Sequence, residues 1–384
     1  MRFEFATATR ILFGPGVVRE VVPTAKEFGG RALLVIGCPP ERAALLSDAM
    51  KMEGIACITL AIQAEPTVAW VRQGVELARR EQCDLVIALG GGSAIDAGKA
   101  IAALLTNEGE LGDYLEVIGK GQPLRHPSVP FIAVPTTAGT GSEVTRNAVL
   151  ASAEHQVKVS LRSPLMLARL AVVDPELTLE LPPAVTASTG LDALTQLIEP
   201  YVSIRANPLT DGFCLEGLRR VSRSLRPAYH CGRDITARES MPLASLLGGL
   251  ALANAGLGVV HGFAAPVGGM FDAPHGAICA ALLPHGMAIN IRGSRARAPQ
   301  GETLRRYEAV ARLLTGRPDA VPEDGVEWVR HLCRELQIPP LSSYGIQEKD
   351  VPTLVEKASR ANSTKGNPLT LTMDELREVL TFAL

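Results

Sequence analysis

One short stretch limits what this chain can fold into. Asp84–Leu89 (DLVIAL) runs straight into Gly90-Gly91-Gly92-Ser93, and Ala94–Leu105 then has helical character. A short apolar run without alternation suits a strand buried on both faces. Glycines let the following turn take positive φ and approach a ligand closely. The helix after it presents unpaired N–H groups and partial positive charge to a phosphate. Ser93 can cap that helix or donate to a pyrophosphate oxygen. Ile95 occupies the place of the third glycine of GxGxxG. Two readings therefore stand: a phosphate-binding turn, or a tight strand–helix turn that holds nothing.

The same alternation surrounds this unit. Phe3–Phe13 reads as a strand pair closed by Gly14-Pro15-Gly16. Arg31–Ile36, Ala56–Ala61 and Phe131–Val134 read as strands, and Ser47–Gly54 and Val68–Gln82 as helices. Strands alternating with helices imply a parallel sheet covered on both faces. From about Leu181 the strand signals fade. Long periodic segments follow: Thr186–Val202, Thr210–Leu225, Asp234–Asn254, Glu302–Leu314 and Gly325–Leu336. Pro182-Pro183 marks the boundary, giving an α/β domain over 1–183 and an all-α domain over 184–384.

Composition excludes several classes. At 384 residues, with 47% hydrophobic and 20% charged residues and a net charge of -2, the chain is neither disordered nor basic enough to bind nucleic acid through phosphates. Seven cysteines stand singly, without a CxxC pair, and read mostly as buried small hydrophobes. The N-terminus MRFEFATATR lacks the apolar core of a signal peptide. Leu243–Val260 is apolar but rich in Gly and Ala, so it reads as a buried helix, not a membrane span. A cytosolic location with no membrane partner is expected.

Two further groups of residues carry chemistry. Pro135–Glu143 (PTTAGTGSE) follows a strand and packs hydroxyls and glycines into one turn. Ligands of doubly wound sheets sit at the carboxyl ends of strands, so two such turns on successive strands would line one crevice. In the helical half, Asp192 and Gln196 share a helix face at i, i+4, while His261 and His275 follow an apolar segment. A carboxylate and two imidazoles suit Fe(II) or Zn. Equally, each His can be a satisfied core or loop residue. His285 is read as structural.

The runs GGGSAIDAGKA (90–100), PTTAGTGSEVT (135–145), GLDALTQLIEPYVS (190–203) and VHGFAAPVGGMFDAPHGAICAALLPH (260–285) resemble the iron-containing (group III) alcohol dehydrogenases in order and spacing. The resemblance implies a dehydroquinate synthase-like fold: an N-terminal dinucleotide-binding α/β domain, an all-α C-terminal domain, an active site in the cleft between them, and a homodimer. It places Gly91, Gly92, Ser93 and Asp96 in the pyrophosphate-binding run. Thr136, Thr137 and Ser142 fall in the second nucleotide-contacting turn, and Lys158 matches a nucleotide-contacting lysine. Asp192, His261 and His275 match three of the family's four metal ligands and are the expected catalytic set.

Departures from the family pattern are informative. Gln196 stands where the fourth ligand, a His, is usual, and Ala265 replaces the usual proton-relay His. An amide oxygen is a weak neutral donor, so weakened metal binding is expected. Gly37 stands where NAD-preferring members carry an acidic residue, which leaves room for a 2′-phosphate and leans NAD(P) use towards NADP. The expected substrate pocket lies near Phe263, Ala265 and Phe271. The function implied is NAD(P)-dependent interconversion of an alcohol and an aldehyde or ketone, metal-assisted when Fe(II) or Zn is bound. The alternatives are a metal-independent oxo-acid reductase resembling maleylacetate reductase, and a nucleotide-binding protein without redox turnover.

Overall fold

The short apolar runs form the strands of one parallel sheet, and the longer periodic segments form helices. The structure, a computed structural model, describes residues 2–62, 64–152, 154, 155 and 157–384. The chain divides into two compact units. One comprises Ala6–Thr137 and Gly141–Thr178; the other comprises residues up to Phe5, Ala138–Thr140 and Leu179–Leu384.

The first unit holds β1 (Ile11–Phe13), α1 (Val21–Phe28), β2 (Arg31–Gly37), α2 (Pro40–Met52), β3 (Ala56–Ala61) and α3 (Val68–Arg80). It continues through β4 (Leu85–Gly90), α4 (Gly92–Thr106), α5 (Leu111–Tyr114), β5 (Phe131–Pro135), β6 (Asn147–Ser152), β7 (Val157–Arg162) and β8 (Leu170–Val173). The main sheet has the order β1-β8-β5-β4-β2-β3, all parallel, and β6-β7 form a separate antiparallel pair. Every residue of β4 and β5 is buried, as unbroken apolar runs require. Leu34, Ile87, Ile132 and Val172 meet in one layer of this core.

The connection from β3 back across β2 to β4 creates a switch point between β2 and β4. Gly37 pairs with Gly90, and Gly90 with Pro135, so three strand ends lie level there. Side chains are excluded at this point. A Cβ at Gly90 would lie 2.7 Å from the Gly37 Cα, and one at Gly37 would lie 2.7 Å from the Ala94 Cβ.

Two local expectations need correction. Phe3–Phe13 is not a strand pair: of these residues only Ile11–Phe13 form a strand, which pairs with β8 as a parallel edge. Phe5 instead lies against Phe213, with ring centroids 5.7 Å apart. Three cysteines are buried (Cys83, Cys214, Cys279), three are half-buried and Cys231 is exposed, so only a minority are core residues.

In the second unit, among the described residues, nine helices follow: α6 (Pro183–Val202), α7 (Pro208–His230), α8 (Ile235–Ala255), α9 (Val259–Met270), α10 (His275–Arg297), α11 (Glu302–Thr315), α12 (Pro322–Glu335), α13 (Val351–Arg360) and α14 (Met373–Thr381). Pro182 and Pro183 are the N-cap and first residue of α6, where a missing N–H costs nothing. The apolar segment is not one helix. Gly256, at φ 72°, ends α8, and α9 leaves at 99° to it. No single helix among the described residues is long and apolar enough to cross a membrane.

Candidate functional site

The glycine turn belongs to the first unit. Gly91 is the N-cap of α4 and offers no side chain, so the first-turn N–H groups are not consumed by a side-chain cap. Ser93 is therefore not the cap expected from the sequence; it lies within the first turn. A Cβ at Gly91 would come 3.3 Å from Thr137 Cγ2, and the Thr136 N–H donates to Gly90 O at 2.9 Å. The two polar turns thus lie side by side at the sheet's switch point, where anions are held best.

Other residues assigned to the nucleotide have partners within the unit. Ser142 Oγ donates to Asp96 Oδ1, and the Val149 N–H donates to Asp96 Oδ2 at 2.9 Å. Lys158 pairs with Glu65 at 3.0 Å. Lys99 was not singled out in the sequence, yet it is fully buried. Its Nζ reaches Ser142 O, Ser142 Oγ, Thr145 Oγ1 and Asn147 O at 2.7–3.1 Å. This knot ties α4 to the second turn. Asp96 and Ser142 thereby hold the turn's shape, a role the sequence does not reveal.

Glu143 sits beside the knot, and burial pushes its carboxyl up to about 7 against the pull of its own backbone N–H and of Lys99. A raised carboxyl pKa means the folded state binds more protons than the unfolded one between about pH 4.5 and 7, so this group's stability falls as pH rises through that window. Glu143→Gln is therefore expected to stabilise the protein by about 2–3 kcal/mol at pH 8 and by little at pH 4. Chemical denaturation at the two pH values measures the difference.

The titratable cluster lies wholly in the helical unit. Asp192, Gln196 and Glu199 occupy one face of α6 at i, i+4, i+7, and all three are buried. Gly276 lets the first turn of α10 approach α6, because a Cβ there would lie 2.4 Å from Ser188 O. That approach brings His275, the first residue of α10, to Asp192. The bend before α9 does the same for His261. Glu199 accepts from the Val260 N–H at 2.7 Å and holds His261 Nδ1 at 2.7 Å, so one carboxylate caps α9 and orients the imidazole.

Four donor atoms converge. Asp192 Oδ1 lies 3.4 Å from His261 Nε2 and 3.7 Å from His275 Nε2. Cys279 Sγ lies 3.8 Å and 3.7 Å from the same two nitrogens. All four atoms fall within 4.8 Å of one another. Gln196 Nε2 donates to Asp192 Oδ2 at 3.1 Å. Asp192 Oδ1 and Gln196 Oε1 are buried without hydrogen-bond partners. A buried carboxylate oxygen left unpaired among two imidazoles and a sulfur is what a cation site requires.

Protonation follows the same logic. Burial alone would raise Asp192, but His275 and His261 outweigh it and hold the carboxyl below its usual range. Burial would lower His261, yet Cys279, Asp192 and Glu199 hold it well above its usual value. The cluster attracts positive charge.

The sequence reading missed Cys279 and Glu199. Their signals were spacing: Cys279 lies four residues after His275 on one helix, and Glu199 continues the Asp192–Gln196 face of an otherwise apolar helix. Phe263 is fully buried core and cannot line a pocket, while Ala265 and Phe271 are half-buried.

Comparison with known proteins accounts for both units. The profile of the family described as Iron-containing alcohol dehydrogenase matches residues 8–175, and that of the Fe-containing alcohol dehydrogenase family, C-terminal, matches residues 186–384. Alcohol dehydrogenase 4 of Schizosaccharomyces pombe is 37% identical over 97% of this chain and 87% of its own length. The NAD-dependent methanol dehydrogenase of Bacillus methanolicus is 33% identical over 97% of each chain. The crystal structure of a 1,3-propanediol oxidoreductase superposes with a TM-score of 0.92 at 33% identity, covering 100% of both chains. The chain is therefore an oxidoreductase that interconverts an alcohol and an aldehyde or ketone with a nicotinamide cofactor, and it belongs to the iron-containing alcohol dehydrogenase family.

Proposed function

We propose that the helical unit's cluster binds a divalent metal and the substrate oxygen, and that the glycine turn binds the pyrophosphate of NAD(P). The observation that carries this reading is the unpaired, buried Oδ1 of Asp192 facing two imidazole nitrogens. The residues fit such an ion: a carboxylate and two imidazoles are donors for Fe(II) or Zn. When bound, the ion supplies Lewis-acid polarisation of the carbonyl or alkoxide oxygen, and the dinucleotide supplies or accepts the hydride.

The chain's own residues do the rest. Glu199 fixes His261 so that Nε2 faces the other donors. Gln196 holds Asp192 Oδ2 and leaves Oδ1 turned inwards. His275 is the partly exposed member, with 32% of its side chain accessible, so the substrate oxygen enters beside it. Gly91 and Gly92 let the pyrophosphate approach α4, with Thr136 and Thr137 beside it. Ala265 offers a methyl group where a relay imidazole is usual, so it moves no proton and widens the space next to His261.

Oxidation of NADPH and NADH against a panel of short aldehydes, ketones and oxo-acids tests the reading, with fresh protein assayed for metal. Turnover of aldehydes that rises with metal content supports it. Turnover of oxo-acids alone, independent of metal, supports the oxo-acid reductase alternative. No turnover with the dinucleotide still bound supports the non-redox one. A homodimer belongs to the same reading, and sedimentation measures it.

Cofactor choice carries its own prediction. Gly37 has a packing reason to be glycine, since a side chain there meets Ala94, so its size alone does not report the cofactor. No carboxylate stands there to repel a 2′-phosphate, and NADP is expected to bind at least as well as NAD. Gly37→Asp alone is expected to weaken both cofactors by distorting the turn. Combined with Ala94→Gly, it should turn the preference towards NAD by about tenfold, or about 1.4 kcal/mol. Binding titrations with both dinucleotides measure this.

A further inference from the structure

We propose that Cys279 is the fourth metal donor of this chain, a thiolate that takes the place left by Gln196, and that the resulting set selects zinc over Fe(II). The proposal rests on the reading that the cluster binds a metal.

Geometry carries it. In a tetrahedral site with bonds of about 2.0–2.1 Å to N and O and about 2.3 Å to S, neighbouring donors lie about 3.4 Å apart, or about 3.6 Å where one is sulfur. Here the oxygen–nitrogen edges are 3.4 and 3.7 Å and the sulfur–nitrogen edges are 3.8 and 3.7 Å. Four of the six edges are thus near those of four donors around one ion.

Polarity points the same way. His261 Nδ1–H donates to the Glu199 carboxylate at 2.7 Å, which turns Nε2 towards Asp192. Nε2 lies 3.4 Å from Asp192 Oδ1, which has no hydrogen-bond partner. A buried carboxylate oxygen without a hydrogen-bond partner calls for a cation beside it. Gln196 spends its amide N–H on Asp192 Oδ2, and so acts as a positioning residue for the ligand beside it.

Donor chemistry then sets the metal. Thiolate ligands favour zinc, whereas oxygen and imidazole sets accept Fe(II). Binding replaces the Cys279 S–H bond by an S–metal bond and releases one proton to solvent, with no change of oxidation state.

Cobalt substitution tests the assignment. The full-length protein is stripped of metal and loaded with Co(II) without oxygen. The wild type is expected to show an intense near-ultraviolet sulfur-to-cobalt band alongside the weaker visible bands of a four-coordinate ion. Cys279→Ser should lose the first and keep the second, and its zinc affinity in a competition titration should fall about tenfold or more. Gln196→His added to Cys279→Ser should recover affinity without recovering the sulfur band. Visible cobalt bands with no sulfur band in the wild type would overturn the thiolate and leave the metal reading intact, and this comparison needs no variant to fold. Failure of the wild type to bind cobalt or zinc at all would overturn both.

Discussion

Asp192→Ala is expected to bind NAD(P) normally but to lose its metal and at least about 10³-fold in kcat/KM. Asp192 is 1% exposed, and its Oδ1 is the atom that both imidazoles face. Without the carboxylate the remaining donors are two imidazoles and a sulfur, whose charge no longer balances a divalent ion. A loss of this size corresponds to about 4 kcal/mol of transition-state stabilisation, in the range for removing an electrostatic partner of a developing oxyanion. Three measurements separate the roles: elemental analysis of fresh protein, steady-state kinetics with an aldehyde, and fluorescence titration with the dinucleotide. The glycine turn proposed for the pyrophosphate contains no donor of the cluster, so dinucleotide affinity should stay within about twofold. Unchanged turnover would reject the metal-assisted reading and leave the oxo-acid reductase alternative standing.

Lys99→Met is expected to destabilise the protein by about 3–5 kcal/mol and to weaken dinucleotide binding as well. Lys99 is 0% exposed, and its Nζ lies 3.6 Å from Asp96 Oδ1. Burial drags the lysine down, while Asp96 and Glu143 support its charge. Burial pushes Asp96 up, and Lys99, Ser142 and Val149 oppose this. Methionine fills the volume but leaves Asp96 without a cation and takes the Nζ donor away from Ser142, Thr145 and Asn147. Breaking one half of a buried pair costs far more than the pair itself contributes. The loss should appear as a fall in Tm of roughly 10 °C. Asp96→Asn in the same chain should recover part of it, since the uncompensated charge is then gone. A Tm within a degree or two of the wild type would show that the knot is solvated, and that the second turn keeps its shape without it.

Much of the site was legible from residue order alone. The β4–Gly90–α4 unit announced itself because a doubly buried strand must be apolar throughout and a ligand-binding turn must lack side chains. Asp192 and Gln196 were placed on one face because a helix repeats every 3.6 residues, whatever surrounds it. Pro182 and Pro183 stand as N-cap and first residue of α6, where the missing N–H of proline costs nothing.

Other features depended on packing between segments distant in sequence. Ile11–Phe13 looks like half of a hairpin, but its partner is β8, and no local rule names a parallel partner. Gly37 reads as the absence of an acidic side chain, whereas its packing reason to be glycine, a Cβ there lying 2.7 Å from the Ala94 Cβ, is visible only in the fold. Nothing in the local sequence sets Lys99 apart, yet it is completely enclosed.

By itself, then, the sequence determined the alternating sheet, the helical second half, the two polar turns and which residues share each helix face. These follow from local backbone periodicity and from the chemistry of glycine and proline. Tertiary structure alone decided that Cys279 joins Asp192, His261 and His275, that Glu199 steers one imidazole, and that Asp96 serves the turn's shape. Those pairings depend on how closely α6, α9 and α10 approach at Gly258 and Gly276 and how α4 approaches the second turn, and distances between separate elements have no local signature in the order of residues.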